Sequence, residues 1–149
     1  MPGGRLDGRR SLESQTGVLP APFANLDTLI ARFAANGLGV EDLVVLSGAH
    51  SVGRAHCGSF AQRIRPNVSE TMDAEYGARL QRRCPADGGG DGAAAVDQDQ
   101  ATPGDLDNRY YGNVLAGKVL FDSDWALISD GTTRRMVEDN AADQARWAA

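Results

Sequence analysis

The sequence predicts an all-α fold with little or no sheet. Three observations support this: apolar residues recur at steps of three and four through several segments, those segments end at glycine or proline, and strand signals are short and scattered. The chain has 149 residues, of which 42% are hydrophobic, so it can form a single core. We therefore predict one domain, residues 1–149.

The first helix is predicted in the segment PFANLDTLIARFAANG, residues 22–37. It follows an irregular stretch, residues 1–22, that is rich in Gly, Arg and Pro. Gly37 stands where a C-terminal cap belongs. The predicted buried face consists of Phe23, Leu26, Leu29, Ile30, Phe33 and Ala34.

A second helix is predicted to begin at Val40, with Glu41 and Asp42 in its first turn, where negative charge is favourable. His50 lies just past the end of this helix. The predicted buried side comprises Val40, Leu43, Val44 and Leu46.

Two more helices are predicted from about residue 54 to 64, before Pro66, and from about 73 to 83, before Pro85. The segment ADGGGDGAAA that follows, residues 86–95, has the composition of a flexible surface loop.

Helical periodicity returns at residues 105–117, capped by Gly117, and again from about Thr133 to the last residue. Trp147 is expected to contribute little to the last helix. We expect both ends to continue in a longer protein and apolar surface to stay uncovered in this chain alone. The apolar face of the last helix consists of Met136, Val137, Ala141, Ala145 and Ala148.

The charge of the chain argues against two classes of partner. Its net charge is −5 and its sequence pI is about 4.9, so its overall field repels nucleic acid and anionic membranes. No apolar run approaches the roughly 20 residues that a membrane-spanning helix needs. We expect no export signal in the sequence as it stands, because no apolar segment follows the first residues.

The two cysteines, Cys57 and Cys84, leave alternatives open. They can form one disulfide, which implies an oxidising compartment, or remain two buried free thiols. A zinc site that also uses His50 and His56 is a third alternative, but it lacks the paired short spacings of structural zinc sites.

The segment DQDQATPGDLDN, residues 97–108, concentrates oxygen ligands of the kind that a hard cation prefers. An acidic surface loop is the alternative explanation. The candidate ligands are Asp97, Asp99, Thr102, Asp105 and Asp107.

His50 follows three small residues, Ser47, Gly48 and Ala49, at the end of an apolar helix. A histidine in this position is most often a core or capping residue. The bare turn before it, however, would let a flat and bulky group approach the backbone, and a haem held by a proximal histidine has this geometry.

The segment DLVVLSGAHSVGRAHC, residues 42–57, resembles the proximal haem-ligand signature of plant-type haem peroxidases, D-L-V-x-L-S-G-[AG]-H-[TS]-[ILVF]-G. GRLDGRRS resembles that family's G-R-R-D-G segment, LPAPFANLDTLIARFAANGL its following helix, TPGDLDNRYYGNVL its T-P-x-x-x-D-N-x-Y-[YF] segment, and LFDSDWAL its L-x-S-D-x-x-L segment. The resemblance covers essentially the whole chain and corresponds to about the C-terminal half of a family member. It implies the proximal half of the peroxidase fold.

By this resemblance His50 is the axial ligand of haem b, and Asp124 accepts the hydrogen bond from its other ring nitrogen. Without the resemblance, Asp124 would be interpreted as a helix N-cap or a surface carboxylate. Cys57 and Cys84 resemble one disulfide of the secretory class III enzymes, which implies an extracellular or vacuolar protein. The sequon at Asn67 agrees weakly with secretion as a glycosylation site.

The resemblance also implies a calcium site and a donor site. Pro20 matches the proline that lines the exposed haem edge where phenolic donors dock, although Pro20 and Pro22 could equally just break the chain before a helix. Ser51 stands where threonine is usual and keeps the hydroxyl. The implied calcium ligands are Ser51, Asp99, Thr102, Asp105 through its backbone carbonyl, and Asp107.

The resemblance implies a monomeric peroxidase that reduces hydrogen peroxide while it oxidises small phenolic donors, in response to oxidative stress. No segment resembles the R-L-x-F-H-D-C motif that carries the family's distal His and Arg. Positioned acid–base and charge-stabilising groups are each worth about 10²–10⁴-fold, so activity of these residues alone is expected to be poor. The alternatives are a non-catalytic haem- or calcium-binding remnant, an incomplete gene model, or an all-α interaction module.

Overall fold

Helices dominate the computed structural model, which describes residues 8–86 and 94–148, and this confirms the predicted all-α class. Within those residues the only sheet is one antiparallel pair of short strands. Most of the predicted Gly-rich loop, and the first residues of the segment GRLDGRRS, lie outside the described residues. The helices are α1 Leu26–Ala35, α2 Val40–Ser47, α3 Ala61–Ile64, α4 Ala74–Arg83, α5 Arg109–Leu115, α6 Asp122–Ala126, α7 Gly131–Ala142 and α8 Gln144–Ala148; the strands are β1 Arg54–His56 and β2 Ala95–Asp97.

Helix α1 forms where it was predicted but begins four residues later. The side chain of Asn25 accepts a hydrogen bond from the Thr28 amide and caps the first turn, and Gly37 ends the helix at a φ of +75°. Phe23 therefore precedes the helix and is 69% exposed, so its predicted burial is wrong. Ala34 is also exposed, because it faces away from the core.

Helix α2 ends at Ser47, and a 3-10 turn, Gly48–Ser51, carries His50 beyond it. Leu43 and Val44 are buried as predicted. The predicted burial of Leu46 is wrong, since this side chain is 50% exposed.

The third predicted helix is mostly wrong. Strand β1 occupies its first three residues, with only Ala55 buried between two exposed neighbours, and Ala55 pairs with Val96 of β2. A 3-10 turn, Cys57–Phe60, follows, and only α3 is α-helical in this segment. The pairing with β2, which is distant in sequence, overrides the local helical pattern.

A disulfide joins Cys57 to Cys84 just after α4, so the bridged alternative is confirmed and the free-thiol alternative is wrong. Helix α4 forms as predicted, with Asp73 as its N-cap. The bridge lies inside a core that α3, α4 and the sheet share. Its buried members are Ala55, Cys57, Phe60, Ile64, Met72, Tyr76, Leu80, Cys84, Val96 and Leu120.

A second core lies between α1, α2, α5, α6 and α7. Helix α5 begins at Arg109, later than the predicted residue 105, because residues 105–108 are irregular chain that ends in a bend and a turn. Helix α6 was not predicted. The fully buried side chains of this core include Val44, Tyr111, Val114, Leu127 and Val137.

The last predicted helix is broken at Asp143 into α7 and α8. Ala145 is exposed, contrary to the prediction. Trp147 packs edge-on against Tyr111, with ring centroids 5.9 Å apart, so the expectation that it contributes little is wrong. Within residues 8–86 and 94–148, no helix has the length and apolar character needed to cross a membrane.

Candidate functional site

The imidazole of His50 and the carboxylate of Asp124 form a hydrogen-bonded pair, although they are 74 residues apart in sequence. The Nδ1 atom of His50 lies 2.7 Å from Oδ1 of Asp124. The 3-10 turn after α2 carries the histidine, and α6 carries the aspartate. Because Nδ1 is committed to Asp124, Nε2 is the ring nitrogen left to meet a ligand.

Two aromatic rings hold the imidazole in place. Tyr110 and Phe121 each approach the His50 ring edge-on, with centroid distances of 6.1 and 5.5 Å. The His50 side chain is still 38% exposed, whereas that of Asp124 is 3% exposed. The pair is therefore anchored at its carboxylate end and accessible at its imidazole end.

Asp124 is a buried carboxylate with two donors on one oxygen. Besides His50, the Tyr110 hydroxyl donates to Oδ1 at 2.8 Å. The loop that holds Pro22 is tied to α6 by a hydrogen bond from the Ser123 amide to the Pro22 carbonyl, 3.0 Å long. A buried carboxylate needs hydrogen-bond partners such as His50 and Tyr110. Asp124 is therefore not the surface carboxylate that the sequence left open as an alternative.

The electrostatics of the pair favour a charged or strongly polarised imidazole. Burial lowers the pKa of His50, but the charge of Asp124 and the hydrogen bond to it outweigh this and raise the pKa above the ordinary 6.5. Burial, with the charge of Asp124 added, raises the pKa of Tyr110 well above its ordinary value. The Tyr110 phenol therefore stays protonated and acts as a donor.

A cavity of about 450 Å³ opens beside His50. This volume is within the range of about 300–1,000 Å³ that is usual for cofactor and ligand sites. Its wall is mainly apolar and includes Leu19 and Leu46, which are 66% and 50% exposed. Pro20 is on the same wall. An apolar wall with one imidazole suits a flat apolar group that needs a nitrogen ligand.

The small residues before His50 do not all serve this cavity. A Cβ at Gly48 would lie 2.6 Å from the Tyr111 hydroxyl and 2.8 Å from the Trp147 ring. Gly48 thus makes room for two aromatic side chains of the core, while Ser47 lines the cavity. The explanation from the sequence, that Gly48 clears space for a flat ligand, is wrong.

Three buried oxygen atoms from the predicted cation set have no hydrogen-bond partner among the residues described: Ser51 Oγ, Asp99 Oδ2 and Thr102 Oγ1. Ser51 is 0% and Asp99 1% exposed. The other Asp99 oxygen accepts hydrogen bonds from the Ala101 amide and the Asn113 side chain. Leaving buried oxygens unpaired is costly, and oxygen ligands of this kind fit Ca²⁺.

The other predicted cation ligands divide into two groups. The Asp105 amide donates to the Thr102 carbonyl, and Asp107 accepts from the Arg109 amide, so each residue belongs to a turn of its own after Asp99. Asp97 instead lies on β2 and forms an ion pair with Arg54, at 3.4 Å. No group of three or more His, Cys, Asp and Glu side chains gathers as a metal site within residues 8–86 and 94–148.

The sheet explains why residues so far apart in sequence approach each other. After β2, the Gln98 amide donates to the Gly53 carbonyl at 3.0 Å, just after the turn that carries His50 and Ser51. The chain around Asp99 is thereby held beside the chain around Ser51.

The zinc alternative is wrong because the disulfide uses both cysteines. His56 lies on β1 with an exposed side chain and does not line the His50 cavity. Asn67 is exposed, so its side chain is accessible.

Sequence reasoning missed Tyr110 and Arg63. Tyr110 lies on the buried face of α5, and a buried tyrosine requires a partner for its hydroxyl, so periodicity could have singled it out. The side chain of Arg63 is 1% exposed and forms an ion pair, at 2.8 Å, with Asp122, two residues before Asp124. No signal in the sequence marked this arginine as buried.

A family model described as "Peroxidase" matches residues 1–143. The chain is similar to "Peroxidase 2" of Zea mays, with 44% identity over 148 residues, 99% of this chain and 44% of the relative. It is similar to "Peroxidase 66" of Arabidopsis thaliana, with 38% identity over 148 residues, 95% of this chain and 45% of the relative. "Peroxidase N" of Armoracia rusticana is 39% identical over 150 residues, again 95% and 45% of the two chains. The chain thus spans less than half the length of these relatives.

Proposed function

The chain belongs to the peroxidase family, and we propose that it provides the proximal side of a haem site where hydrogen peroxide is reduced and small phenolic donors are oxidised. Its plant relatives confirm the predicted resemblance to class III enzymes, and peroxidase chemistry is the activity of that family. The single observation that carries the proposal is the His50–Asp124 pair beside an apolar cavity.

His50 is proposed to bind the haem iron through Nε2, while Nδ1 donates to Asp124. Bound haem supplies the one-electron redox chemistry that no side chain provides. Asp124 draws on the Nδ1 proton, which gives the imidazole partial anionic character and makes it a stronger ligand. The edge contacts of Tyr110 and Phe121 fix the plane of the ring.

Ser51, Asp99, Thr102, Asp105 and Asp107 are proposed to hold calcium. The support is the set of three buried oxygens without partners and the link between the two chain segments that carry them. Calcium would stabilise the turn next to His50 and take no part in turnover.

Phenolic donors are proposed to approach along the wall formed by Pro20. Pro20 lines the same cavity as His50 and is half-buried, so an aromatic donor could enter from solvent and pack against it.

One observation favours a second candidate, a haem- and calcium-binding unit without peroxidase turnover. The sequence has two histidines, and His56 lies outside the His50 cavity. His50 is therefore the one histidine of the given sequence at the cavity, and no other is there to move the proton between the peroxide oxygens.

Haem binding is tested by reconstituting the purified chain with haemin and recording the Soret band. His50→Ala should lose the histidine-ligated spectrum, while the matched variant His56→Ala should keep it. Equal spectra for the two variants would contradict the assignment of His50. Peroxide-dependent oxidation of a phenolic dye well above free haemin would support the first candidate, and turnover no faster than free haemin would support the second.

Calcium binding is tested by thermal unfolding with calcium and with chelator. Any ligand that binds only the folded state raises its stability, by about 2.7 kcal/mol at a hundredfold excess over Kd. Asp99→Asn should abolish the calcium-dependent rise in Tm, and Asp97→Asn, which removes an ion pair outside the set, should retain it. If the Tm of the parent chain is the same with calcium and with chelator, the proposed calcium site is contradicted.

Secretion or vacuolar delivery is proposed as the location, and the full family member as a monomer. The disulfide supports an oxidising compartment, because such bridges persist there. Asn67 is exposed and open to glycosylation. Mass spectrometry of the protein from plant tissue, before and after glycosidase treatment, would test the modification.

A further inference from the structure

One carboxylate oxygen in the buried site serves two donors. Oδ1 of Asp124 accepts from His50 Nδ1 at 2.7 Å and from the Tyr110 hydroxyl at 2.8 Å. Tyr110 is 1% exposed, and its ring lies edge-on to Tyr111 with centroids 5.2 Å apart. The second donor is thus held rigidly by the core and has no access to water as an alternative partner.

A hydrogen bond to a carboxylate stabilises its charged form and lowers its basicity, so two donors on one oxygen weaken each other. We propose that Tyr110 is a positioning residue that limits how strongly Asp124 attracts the Nδ1 proton of His50. The inference rests on the proposed function only in taking His50 as the haem ligand.

The Tyr110 phenol is suited to this task because it does not change its state near neutral pH. Burial raises the pKa of this hydroxyl well above its ordinary value, and the charge of Asp124 adds to the increase. The phenol therefore donates constantly. His50 keeps a hydrogen bond that is strong enough to orient the ring yet weaker than one to an unshared carboxylate.

Removal of the Tyr110 hydroxyl should strengthen the hydrogen bond from His50 to Asp124. In Tyr110→Phe, Oδ1 of Asp124 loses a donor and becomes a stronger acceptor for Nδ1–H. The imidazole gains anionic character and becomes a stronger ligand for a metal. The predicted signs are a shorter Nδ1–H···O hydrogen bond and a stronger iron–nitrogen bond.

The chain offers a matched control in the adjacent residue. Tyr111 is also fully buried, but its hydroxyl donates to the Val44 carbonyl at 3.0 Å rather than to Asp124. Tyr111→Phe removes the same group from the same helix without touching the carboxylate. A general effect of losing a buried hydroxyl would appear in both variants.

Two readouts test the inference. In the haem-free chain, proton NMR should show the His50 Nδ1–H resonance farther downfield in Tyr110→Phe than in the parent, and unchanged in Tyr111→Phe. In the haem-loaded ferrous chain, resonance Raman should show a higher iron–histidine stretching frequency in Tyr110→Phe alone. No shift, a shift of opposite sign, or equal shifts in both variants would overturn the inference.

The readouts also separate this inference from the proposed function. If the parent chain shows no iron–histidine band, the assignment of His50 as ligand fails, while the haem-free NMR comparison still decides the role of Tyr110. If Tyr110→Phe does not fold, replacement of the tyrosines by 3-fluorotyrosine provides a second test. The fluorinated phenol is a stronger donor, so the Nδ1–H resonance should move upfield, and a downfield movement or none would overturn the inference.

Discussion

The buried guanidinium of Arg63 joins three parts of the chain, and its removal should destabilise the protein strongly. It donates to the Val119 carbonyl at 2.7 Å, to the Phe121 carbonyl at 3.0 Å and to the Thr71 hydroxyl at 2.9 Å. It also forms an ion pair with Asp122 at 2.8 Å, in which Arg63 is 1% and Asp122 37% exposed. Burial lowers the pKa of Arg63, and Asp122 offsets part of this effect.

Replacing Arg63 should cost more free energy of unfolding than replacing Asp122, because Arg63 is buried and Asp122 is partly exposed. Arg63→Met fills the space but leaves buried carbonyl oxygens and a half-buried carboxylate unpaired, and breaking a buried pair in this way costs about 3–5 kcal/mol. Asp122→Asn leaves the guanidinium its carbonyl acceptors and removes only a partly solvated charge. We expect it to cost about 1 kcal/mol or less, as is usual for an ion pair with one partner partly exposed.

Urea unfolding of the purified chain, followed by far-UV circular dichroism, measures both values. The ratio of the two effects is the informative quantity, since it follows from which partner is buried. If Asp122→Asn costs as much as Arg63→Met, or if Arg63→Met costs less than about 1 kcal/mol, then the network contributes by a different route and the reasoning is refuted.

Three further predictions follow from single contacts. Cys57→Ala/Cys84→Ala opens a bridge between residues 27 apart and should lower the free energy of unfolding by about 3.5 kcal/mol, measured by urea unfolding. Gly77→Ala places a Cβ against the methyl groups of Val68, closer than a normal contact allows, and should cost about 1–3 kcal/mol in the same assay. Because the folded-state pKa of His50 is raised, the haem-free chain should gain stability from the Asp124 pair at pH values below about 6.5 and lose it as the pH rises through that raised pKa.

Each of these has a control. The parent chain under reducing conditions should match the double cysteine variant, and a reduced chain as stable as the oxidised one would contradict the estimate. Gly58 has open space around its Cβ position, so Gly58→Ala should be nearly neutral; an equal loss at both glycines would exclude steric crowding as the cause. The urea midpoint of the parent should fall as the pH rises from below about 6.5 through the raised pKa of His50, and this fall should be smaller in Asp124→Asn; parallel curves would contradict the role of the pair.

Part of the fold was accessible from the sequence because it depends on local signals. The helix over residues 74–83 has a capping aspartate before it and a proline after it, and it forms within one residue of the prediction. The third predicted helix failed at residues 54–56 because strand pairing with residues 95–97 is not a local property. Helix α6 is only five residues long, too short for periodicity to reveal.

Some residues of the candidate site could likewise be identified from the sequence, and others could not. The motif around His50 and the match at Asp124 identified both residues of the pair through resemblance to a family, and the cysteine pairing came from the same source. The second donor to Asp124, the buried guanidinium of Arg63 and the packing role of Gly48 were not identified. Each of them is defined by a neighbour more than ten residues away in sequence.

The sequence by itself determined the family, the all-α class, the positions of most helices and the candidate site residues. Only the tertiary structure decided which of those residues share an oxygen atom, which charges are buried and which oxygens are left without partners. The physical reason is that helix formation and capping depend on side chains within a turn of one another, whereas burial and hydrogen-bond sharing depend on how separate segments pack.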